Sequence, residues 1–348
     1  MRILSGVQPS GKLHLGNYFG AIRQFVELQE KGEALYFIAD LHALTSVRDP
    51  ALLTEYTRGV ALDFLALGLD PKRSILFRQS DVPWHAELFW IIATVTPVAL
   101  MERGTSYKDK IARGLSPNLG LFTYPTLQAA DILIYDSDLV PVGSDQRQHI
   151  EFTRDIATKF NSTYVKGYDP QDPENKGGKG AKGILKLPDA HILDATAVVP
   201  GTDGQKMSKS YSNTIDLFGE DKALKKQIMG IVTDSTPVEA PKDPDKNTVF
   251  ALLKLFLPAE ELKAVEESFR KGGTGYGEYK KRLLEAFHAR FDEARKRRAE
   301  LEKDPAEVER ILQDGAKRAR ALAEPLMDEV RRAVGLPKRA ASTVSGQG

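Results

Sequence analysis

The sequence predicts an α/β protein in which a parallel sheet with helices on its faces is followed by an all-helical region. Three observations carry this expectation. Short apolar runs alternate with helical patterns in the first third, a Gly/Lys/Pro/Asp/Asn stretch with almost no apolar residue interrupts the middle, and helical periodicity dominates from about Asn247 to Gly335. With 348 residues, 41% of them hydrophobic, the chain can bury a sizeable core and exceeds the usual length of one domain. Two domains are the expectation.

In chain order, Arg2 to Val7 reads as a strand, Leu13 to Glu30 as a helix, Ala34 to Asp40 as a strand, Pro50 to Leu67 as a helix and Ser74 to Gln79 as a strand. Leu15, Phe19, Ile22, Val26 and Gln29 fall mostly on one helical face, so the first helix is expected to lie on the sheet. Lys166 to Lys182 cannot nucleate a packed element and reads as a mobile surface loop. Further on, Leu284, Phe287 and Phe291 mark one helix, and Val308, Leu312, Ala319, Leu322, Leu326 and Val330 mark another. Asp304, Pro305 and Glu307 give the second of these an N-cap, an N1 proline and an acidic first turn, while Gly335 and Pro337 supply its stop. Residues 338–348 are small and polar and are expected to be disordered.

Charged residues make up 28% of the chain, yet they nearly cancel to a formal +1, so no global field draws the protein onto nucleic acid. Any such contact must use local patches. Basic runs at Arg295 to Arg298 and Lys317 to Arg320 fall on faces that periodicity leaves exposed. The chain has no cysteine, which excludes disulfides, thiol nucleophiles, Cys-based zinc sites and iron–sulfur clusters. The start, MRILSGVQPSGK, lacks the apolar core of a signal peptide, and the most apolar stretch, Trp90 to Met101, is short and broken by Pro97. A soluble, cytoplasmic protein without membrane contact is the expectation.

The first strand runs into Gln8-Pro9-Ser10-Gly11-Lys12-Leu13-His14-Leu15-Gly16-Asn17, a turn that opens the first helix. Unpaired backbone N–H groups and the helix dipole make phosphate binding physically natural there. His14 can donate to a phosphoryl oxygen, Gly16 lets a purine or ribose approach the backbone, and Asn17 adds a neutral donor. Alone, the string equally fits an ordinary helix start. Far downstream, Pro200-Gly201-Thr202-Asp203-Gly204 precedes Lys206-Met207-Ser208-Lys209-Ser210. Two lysines and two hydroxyls on a mobile loop can fold over a triphosphate and neutralise charge as pyrophosphate leaves.

Together these motifs resemble the HIGH and KMSKS signatures of class I aminoacyl-tRNA synthetases. The resemblance extends through Gly6 to Tyr18 (GVQPSGKLHLGNY), Ala39 to Thr45 (ADLHALT), Tyr124 to Tyr135 (YPTLQAADILIY), Pro141 to Glu151 (PVGSDQRQHIE) and Thr153 to Ala157 (TRDIA), which look like successive blocks of the tryptophanyl-tRNA synthetases. It covers nearly the whole chain. The implied architecture is a Rossmann-type catalytic domain over residues 1–220, with a flexible insert at 166–183 and the KMSKS loop at 206–210. A helical anticodon-binding domain over 221–337 and a disordered tail over 338–348 follow.

Carried onto this sequence, the resemblance implies that His14, Asn17, Lys206 and Lys209 act in catalysis. It further implies that Gln8, Pro9, Ser10, Gly16, Asn17 and the loop residues Lys206, Met207, Ser208, Lys209 and Ser210 line an ATP site. Gly143, Ser144 and Asp145 are implied for ribose and adenosine contacts, Val198 for backbone contact with adenine, and Lys108 or Lys110 for additional phosphate contact. Asp131 is implied to accept the indole N–H of L-tryptophan, Tyr124 and Gln146 to meet its ammonium and carboxylate, and His42 to line the same pocket. An indole has one polar handle, a donor, and a buried carboxylate is a strong partner for it. Read by itself, Asp131 could equally cap, pair with Arg147 or face solvent. ATP with Mg²⁺, tRNA(Trp) and a second copy of the chain, docked through Trp84 to Met101, are the implied cofactors and partners; no protein ligand to a metal is implied.

Leu4 and Gln128 stand where bacterial relatives often carry Phe and Met, so the indole pocket differs in shape and polarity. His85, His149, His191 and His288 have no metal-ligand spacing and are expected in ordinary packing or surface roles. Three alternatives compete with the tryptophanyl reading. They are a tyrosyl-tRNA synthetase, a small-molecule nucleotidyltransferase, and a catalytically idle RNA-binding paralogue.

Overall fold

The structure, a computed structural model, describes residues 1–104, 107, 112, 114, 116–143, 147–192 and 199–338. The expectations for Lys108, Lys110, Ser144, Asp145, Gln146, Val198 and nearly all of the tail fall outside the described residues.

Among the described residues, five parallel strands form one sheet: β1 (Arg2–Val7), β2 (Glu33–Ile38), β3 (Ser74–Arg78), β4 (Leu139–Val142) and β5 (Asp189–Ile192), in the order β3-β2-β1-β4-β5. The order reverses at β1, and ligands of open α/β sheets bind outside the carboxyl ends of strands at such a reversal. The first three strands match the apolar runs read from sequence to within two residues at each end, and β1 and β2 pair from Arg2↔Glu33 through to Val7↔Ile38. Period-two alternation divides their side chains between two cores. Ile3, Tyr36, Ile38 and Leu76 face one core, and Leu4, Leu35, Phe37, Ile75 and Phe77 face the other.

After β1 the chain forms α1 (Leu15–Asn17), a π-helical turn (Tyr18–Ile22) and α2 (Arg23–Leu28). Its buried face includes Leu15, Tyr18, Phe19, Ile22, Phe25 and Leu28, and the Phe25 ring stacks on Tyr36 with centroids 4.9 Å apart. A short α3 (Asp40–Ala43) leads to α4 (Pro50–Ala66), which starts with a proline and an Asp49 carboxylate accepting the N–H groups of Ala51 and Leu52. The second core gathers α5 (Trp84–Ala93), α6 (Val98–Glu102), α7 (Leu119–Leu133) and α8 (Arg147–Tyr164). Residues 166–183 form no helix or strand, as their composition predicts. They are nevertheless cross-bonded: the Asp172 carboxylate accepts the N–H groups of Lys176 and Gly177, and Asn175 exchanges two hydrogen bonds with Gly180.

The remainder is helical: α9 (Asp221–Met229), α10 (Thr248–Leu253), α11 (Ala259–Lys271), α12 (Tyr276–Leu301) and α13 (Pro305–Ala333). The Asp304 N-cap read from sequence accepts the N–H of Glu307 at 3.1 Å. Helix α13 does more than close a helical domain. Its start, with Val308 and Leu312, belongs to the first core, whereas Ala316, Ala319, Ala323, Leu326, Met327 and Val330 belong to the second. The helix therefore passes from one face of the sheet to the other around the edge strand β3. Gly315 marks the crossing, where a Cβ would lie only 1.8 Å from the carbonyl oxygen of Leu76.

This packing corrects the reading of the basic runs. Arg295 donates to the carbonyls of Leu217 and Gly219 and pairs with Asp221, while Arg298 pairs with the buried Asp63 of α4 at 2.5 Å. Arg318 donates to Pro71 and Ser74 carbonyls, and Arg320 to that of Asp81. Guanidinium groups with five donors are suited to stapling unpaired carbonyls at loop ends. Only Lys296, Arg297 and Lys317 of these runs remain exposed.

The crossing at Gly315 makes a stability prediction. Gly315→Ala forces backbone apart and is expected to destabilise by about 1–3 kcal/mol, as overpacking does. Gly277→Ala, on α12 with no atom within 4 Å of the added methyl, is expected to be neutral or to stabilise by up to about 1 kcal/mol through helix propensity. Urea unfolding midpoints compare the two, and coincident midpoints would refute the close crossing.

Candidate active site

The turn after β1 is shaped by backbone before side chains enter. Gly11 has φ +119°, which L side chains rarely adopt, and the ammonium of Lys209 lies 3.5 Å from where its Cβ would be. His14 then opens α1, and the Asn17 Oδ1 accepts the His14 backbone N–H at 3.1 Å. With Oδ1 committed, the amide NH₂ of Asn17 is its remaining polar end, a donor.

The loop carrying Lys206 to Ser210 is stitched to this turn. Leu15 N–H donates to the Ile215 carbonyl at 3.0 Å, Leu217 N–H to Leu13 at 3.2 Å, and His14 bridges to Asp216 in antiparallel fashion. Met207 is buried in the first core, and its sulfur accepts the Gly16 N–H. Asn213 organises the loop from inside, accepting the Ser208 N–H and donating to the Lys206 carbonyl and the Asp203 carboxylate. The two lysines differ as a result: Lys206 is exposed, whereas Lys209 is half-buried and its ammonium pKa is lowered by that burial. His14 is buried, and burial followed by the Lys209 charge lowers its pKa to about 4, against a smaller opposing effect of Asp216. It is a neutral imidazole at physiological pH, and its Nδ1 meets no partner among the described residues.

A second constellation surrounds Asp131 on α7. The carboxylate is fully buried, and three donors meet it: Gln79 Nε2 at 2.7 Å and His85 Nδ1 at 2.6 Å on Oδ1, and His42 Nε2 at 2.9 Å on Oδ2. Burial alone would raise its pKa, but the hydrogen bonds from His42 and His85 hold it below the ordinary carboxylate range. The orientation of Gln79 follows from its other end, because Oε1 accepts the Leu41 N–H at 3.2 Å and so turns the amide NH₂ toward Asp131. Behind His85, Nε2 lies 2.8 Å from the hydroxyl of Tyr135. The Tyr124 ring stands edge-on to His42, and its hydroxyl meets His149 Nε2 at 3.1 Å.

Gln8 joins the two constellations, donating to the His42 carbonyl and the Ser46 hydroxyl. Gln8, His42 and Gln79 leave the carboxyl ends of β1, β2 and β3 respectively, where the strand-order rule puts ligands. Pro9 is buried, Ser10 exposed and Gly143 half-buried beside them in sequence at the ends of β1 and β4.

Comparison with known proteins decides what this arrangement belongs to. Residues 1–292 match the family model of tRNA synthetases class I (W and Y). Tryptophan–tRNA ligases of Fusobacterium nucleatum and Rhodopirellula baltica are 51% and 52% identical to the chain, over 96% and 97% of it and 98% and 100% of their own lengths. The chain belongs to the tryptophan–tRNA ligase family of class I tRNA synthetases. The solved Campylobacter jejuni tryptophanyl-tRNA synthetase, complexed with ADP and tryptophan, superposes with a TM-score of 0.87 at 47% identity, covering 97% of this chain and all of that one. A tyrosyl-tRNA synthetase from Archaeoglobus fulgidus, at 22% identity and TM-score 0.59, shares the fold alone.

Sequence reading named His14, Asn17, Met207 and Lys209, which the structure brings together on one side, and Asp131, His42 and Tyr124, which it brings together on the other. It missed Gln79, Tyr135 and, by assigning it an ordinary packing or surface role, His85. His85 is fully buried and so takes no surface role, and its Nδ1 meets the Asp131 carboxylate at 2.6 Å. Asp131 neither caps a helix end nor faces solvent. His288 does take a surface role, pairing with Asp292 one turn along α12.

The charge state of His14 is open to direct test. Its pKa of about 4 lies below the ordinary 6.5, so the unfolded chain takes up a proton between those values while the folded one does not. Stability contributed by this group is therefore complete above about pH 6.5 and lost as pH falls toward 4. An NMR titration of the imidazole should give a midpoint near 4, and Lys209→Met should raise it, since a neighbouring cation is removed. A wild-type midpoint near 6.5 would contradict the burial of this ring.

Proposed function

We propose that this chain activates L-tryptophan with ATP as tryptophanyl-adenylate and transfers the amino acid to the 3′ end of tRNA(Trp). The observation that carries this reading is the pairing of a buried, ionised Asp131 with a phosphate turn at the carboxyl ends of adjacent strands. Asp131 accepts the indole N–H, His42 lines the pocket, and Tyr124 and Gln146 meet the ammonium and carboxylate of the amino acid. Gln8, Pro9, Ser10, Gly16 and Gly143 line the ATP site, with Ser144, Asp145 and Val198 on its adenosine side.

The tryptophan carboxylate is ionised near neutrality, so its attack on the α-phosphorus needs no general base. The new carboxyl–phosphorus bond forms as the α–β bridging bond breaks, and pyrophosphate carries the electron pair away. Catalysis then consists of alignment and stabilisation of developing charge. Neutral His14 and the Asn17 amide donate to phosphate oxygens without adding charge, Lys209 supplies a fixed cation, and exposed Lys206 closes over the leaving group. Mg²⁺ would enter with ATP as its counter-ion, and the turn offers donors suited to the phosphates.

The catalytic part spans residues 1–220, and the helical part, residues 221–337, reads the anticodon through cations that remain free of carbonyl staples, such as Lys296, Arg297 and Lys317. No helix among the described residues is long and apolar enough to cross a membrane, and a cytoplasmic setting fits a tRNA-charging enzyme. A homodimer is supported by the apolar side chains left at the surface near α5 to α7, Trp90 at 69%, Val98 at 63% and Leu119 at 80% exposure. Sedimentation at micromolar concentration should give a dimer, with Trp90→Asp shifting it toward monomer. A wild-type species of monomer mass alone would exclude this assembly.

Pyrophosphate exchange run with all twenty amino acids should respond to tryptophan alone. Asp131→Ala strands the indole donor without a partner, a loss on the order of 2–4 kcal/mol, or roughly thirty- to thousandfold in kcat/KM. An analogue with sulfur in place of the ring nitrogen has no donor to strand and should lose much less. Equal losses for both ligands would remove Asp131 from recognition.

A further inference from the structure

We propose that His85 and Tyr135 are positioning residues that hold the Oδ1 atom of Asp131 and reserve Oδ2 for the indole N–H of tryptophan. The inference rests on Asp131 as the indole acceptor and adds how that carboxylate is aimed.

The two carboxylate oxygens are treated unequally. Oδ1 accepts from both Gln79 Nε2 and His85 Nδ1, whereas Oδ2 accepts from His42 alone. A carboxylate has about four lone-pair sites, so three described donors leave one, and it lies on Oδ2. Exposure runs the same way: the His85 side chain is 0% exposed and that of His42 13%, so the pocket opens on the Oδ2 side.

Proton placement in the chain behind Oδ1 follows from charge. An ionised carboxylate only accepts, so His85 Nδ1 must carry a proton. In a neutral ring Nε2 is then an acceptor, and the group facing it is the Tyr135 hydroxyl at 2.8 Å. Burial raises the Tyr135 pKa well above the ordinary phenol value, followed by the nearby Asp131 charge, so this hydroxyl keeps its proton and donates. The sequence Tyr135 O–H to His85 Nε2, then His85 Nδ1–H to Asp131 Oδ1, fixes both the tautomer and the tilt of the imidazole. The ring cannot turn over, because Cδ2 would then face the carboxylate and Cε1 the hydroxyl, and both hydrogen bonds would be lost. Loss of either link leaves Oδ1 held by Gln79 alone, and the carboxylate is then free to tilt away from the direction in which the indole arrives.

The test uses the full-length enzyme and reads dissociation constants for tryptophan and for its sulfur analogue, with kcat for pyrophosphate exchange. Tyr135→Phe should weaken tryptophan about tenfold while the sulfur analogue and kcat change by no more than about twofold, because uniform recognition and not the chemical step is lost. His85→Leu should weaken tryptophan further, roughly thirtyfold. His85→Asn, whose amide can donate from near the Nδ1 position, should recover to within about threefold of wild type. In the unmodified protein, ¹⁵N-labelled His85 should carry its proton on Nδ1 with a bare Nε2.

Equal weakening of both ligands in Tyr135→Phe and His85→Leu, or a His85 proton on Nε2 alone, would overturn the proposal. The Asp131→Ala comparison separates the two levels. If Asp131→Ala also fails to distinguish the ligands, the reading of Asp131 falls; if it distinguishes them and the His85 and Tyr135 variants do not, only the aiming role falls.

Discussion

A buried carboxylate must be met by donors, and the site is organised around that requirement. An ionised Asp131 without partners would be prohibitive in the interior, so hydrogen-bonding groups have to converge on it. They come from α3, the turn after β3 and the start of α5, three segments fixed independently by the sheet. Each donor is itself held: Gln79 by the Leu41 N–H, His85 by Tyr135, and the His42 backbone by Gln8. The strand ends are thus tied to one negative charge, and the pocket inherits its rigidity from them.

The fold was legible where the signal is local. Short apolar runs placed β1, β2 and β3, and a cap with a helix-starting proline placed α13. What escaped was long-range. Nothing in a 3.6-residue pattern says that a helix rounds a sheet edge, although Gly315, Ala316, Ala319 and Ala323 form a run of small side chains that permits close approach. For the same reason Arg295, Arg298, Arg318 and Arg320 read as a solvated surface. Their partners, carbonyls and carboxylates from Asp63 to Asp221, are up to 247 residues distant in sequence.

The candidate site divides along the same line. The turn after β1 is contiguous, so His14, Gly16 and Asn17 could be singled out within ten residues, and the distant lysine loop was readable because its composition is so unusual. Which lysine lies against the turn was not, since that depends on Met207 anchoring the loop between them. Asp131 was found through resemblance, but its partners were not, because Gln79 and His85 lie 52 and 46 residues away and neither sits in a conspicuous motif. A histidine in an otherwise apolar helix start, two residues after a proline, was the one available hint.

The passage of α13 around β3 has a consequence for how the polypeptide can be divided. An edge strand offers a row of unpaired N–H and C=O groups that can recruit a strand from another molecule. Here a helix more than two hundred residues further along the chain shields that border and contributes apolar side chains to both faces. A catalytic half excised near residue 220 would therefore carry a bare sheet margin and two incomplete cores. Its expected fate is intermolecular strand pairing and aggregation, so the carboxyl-terminal helix also serves as a solubility guard for the domain that precedes it.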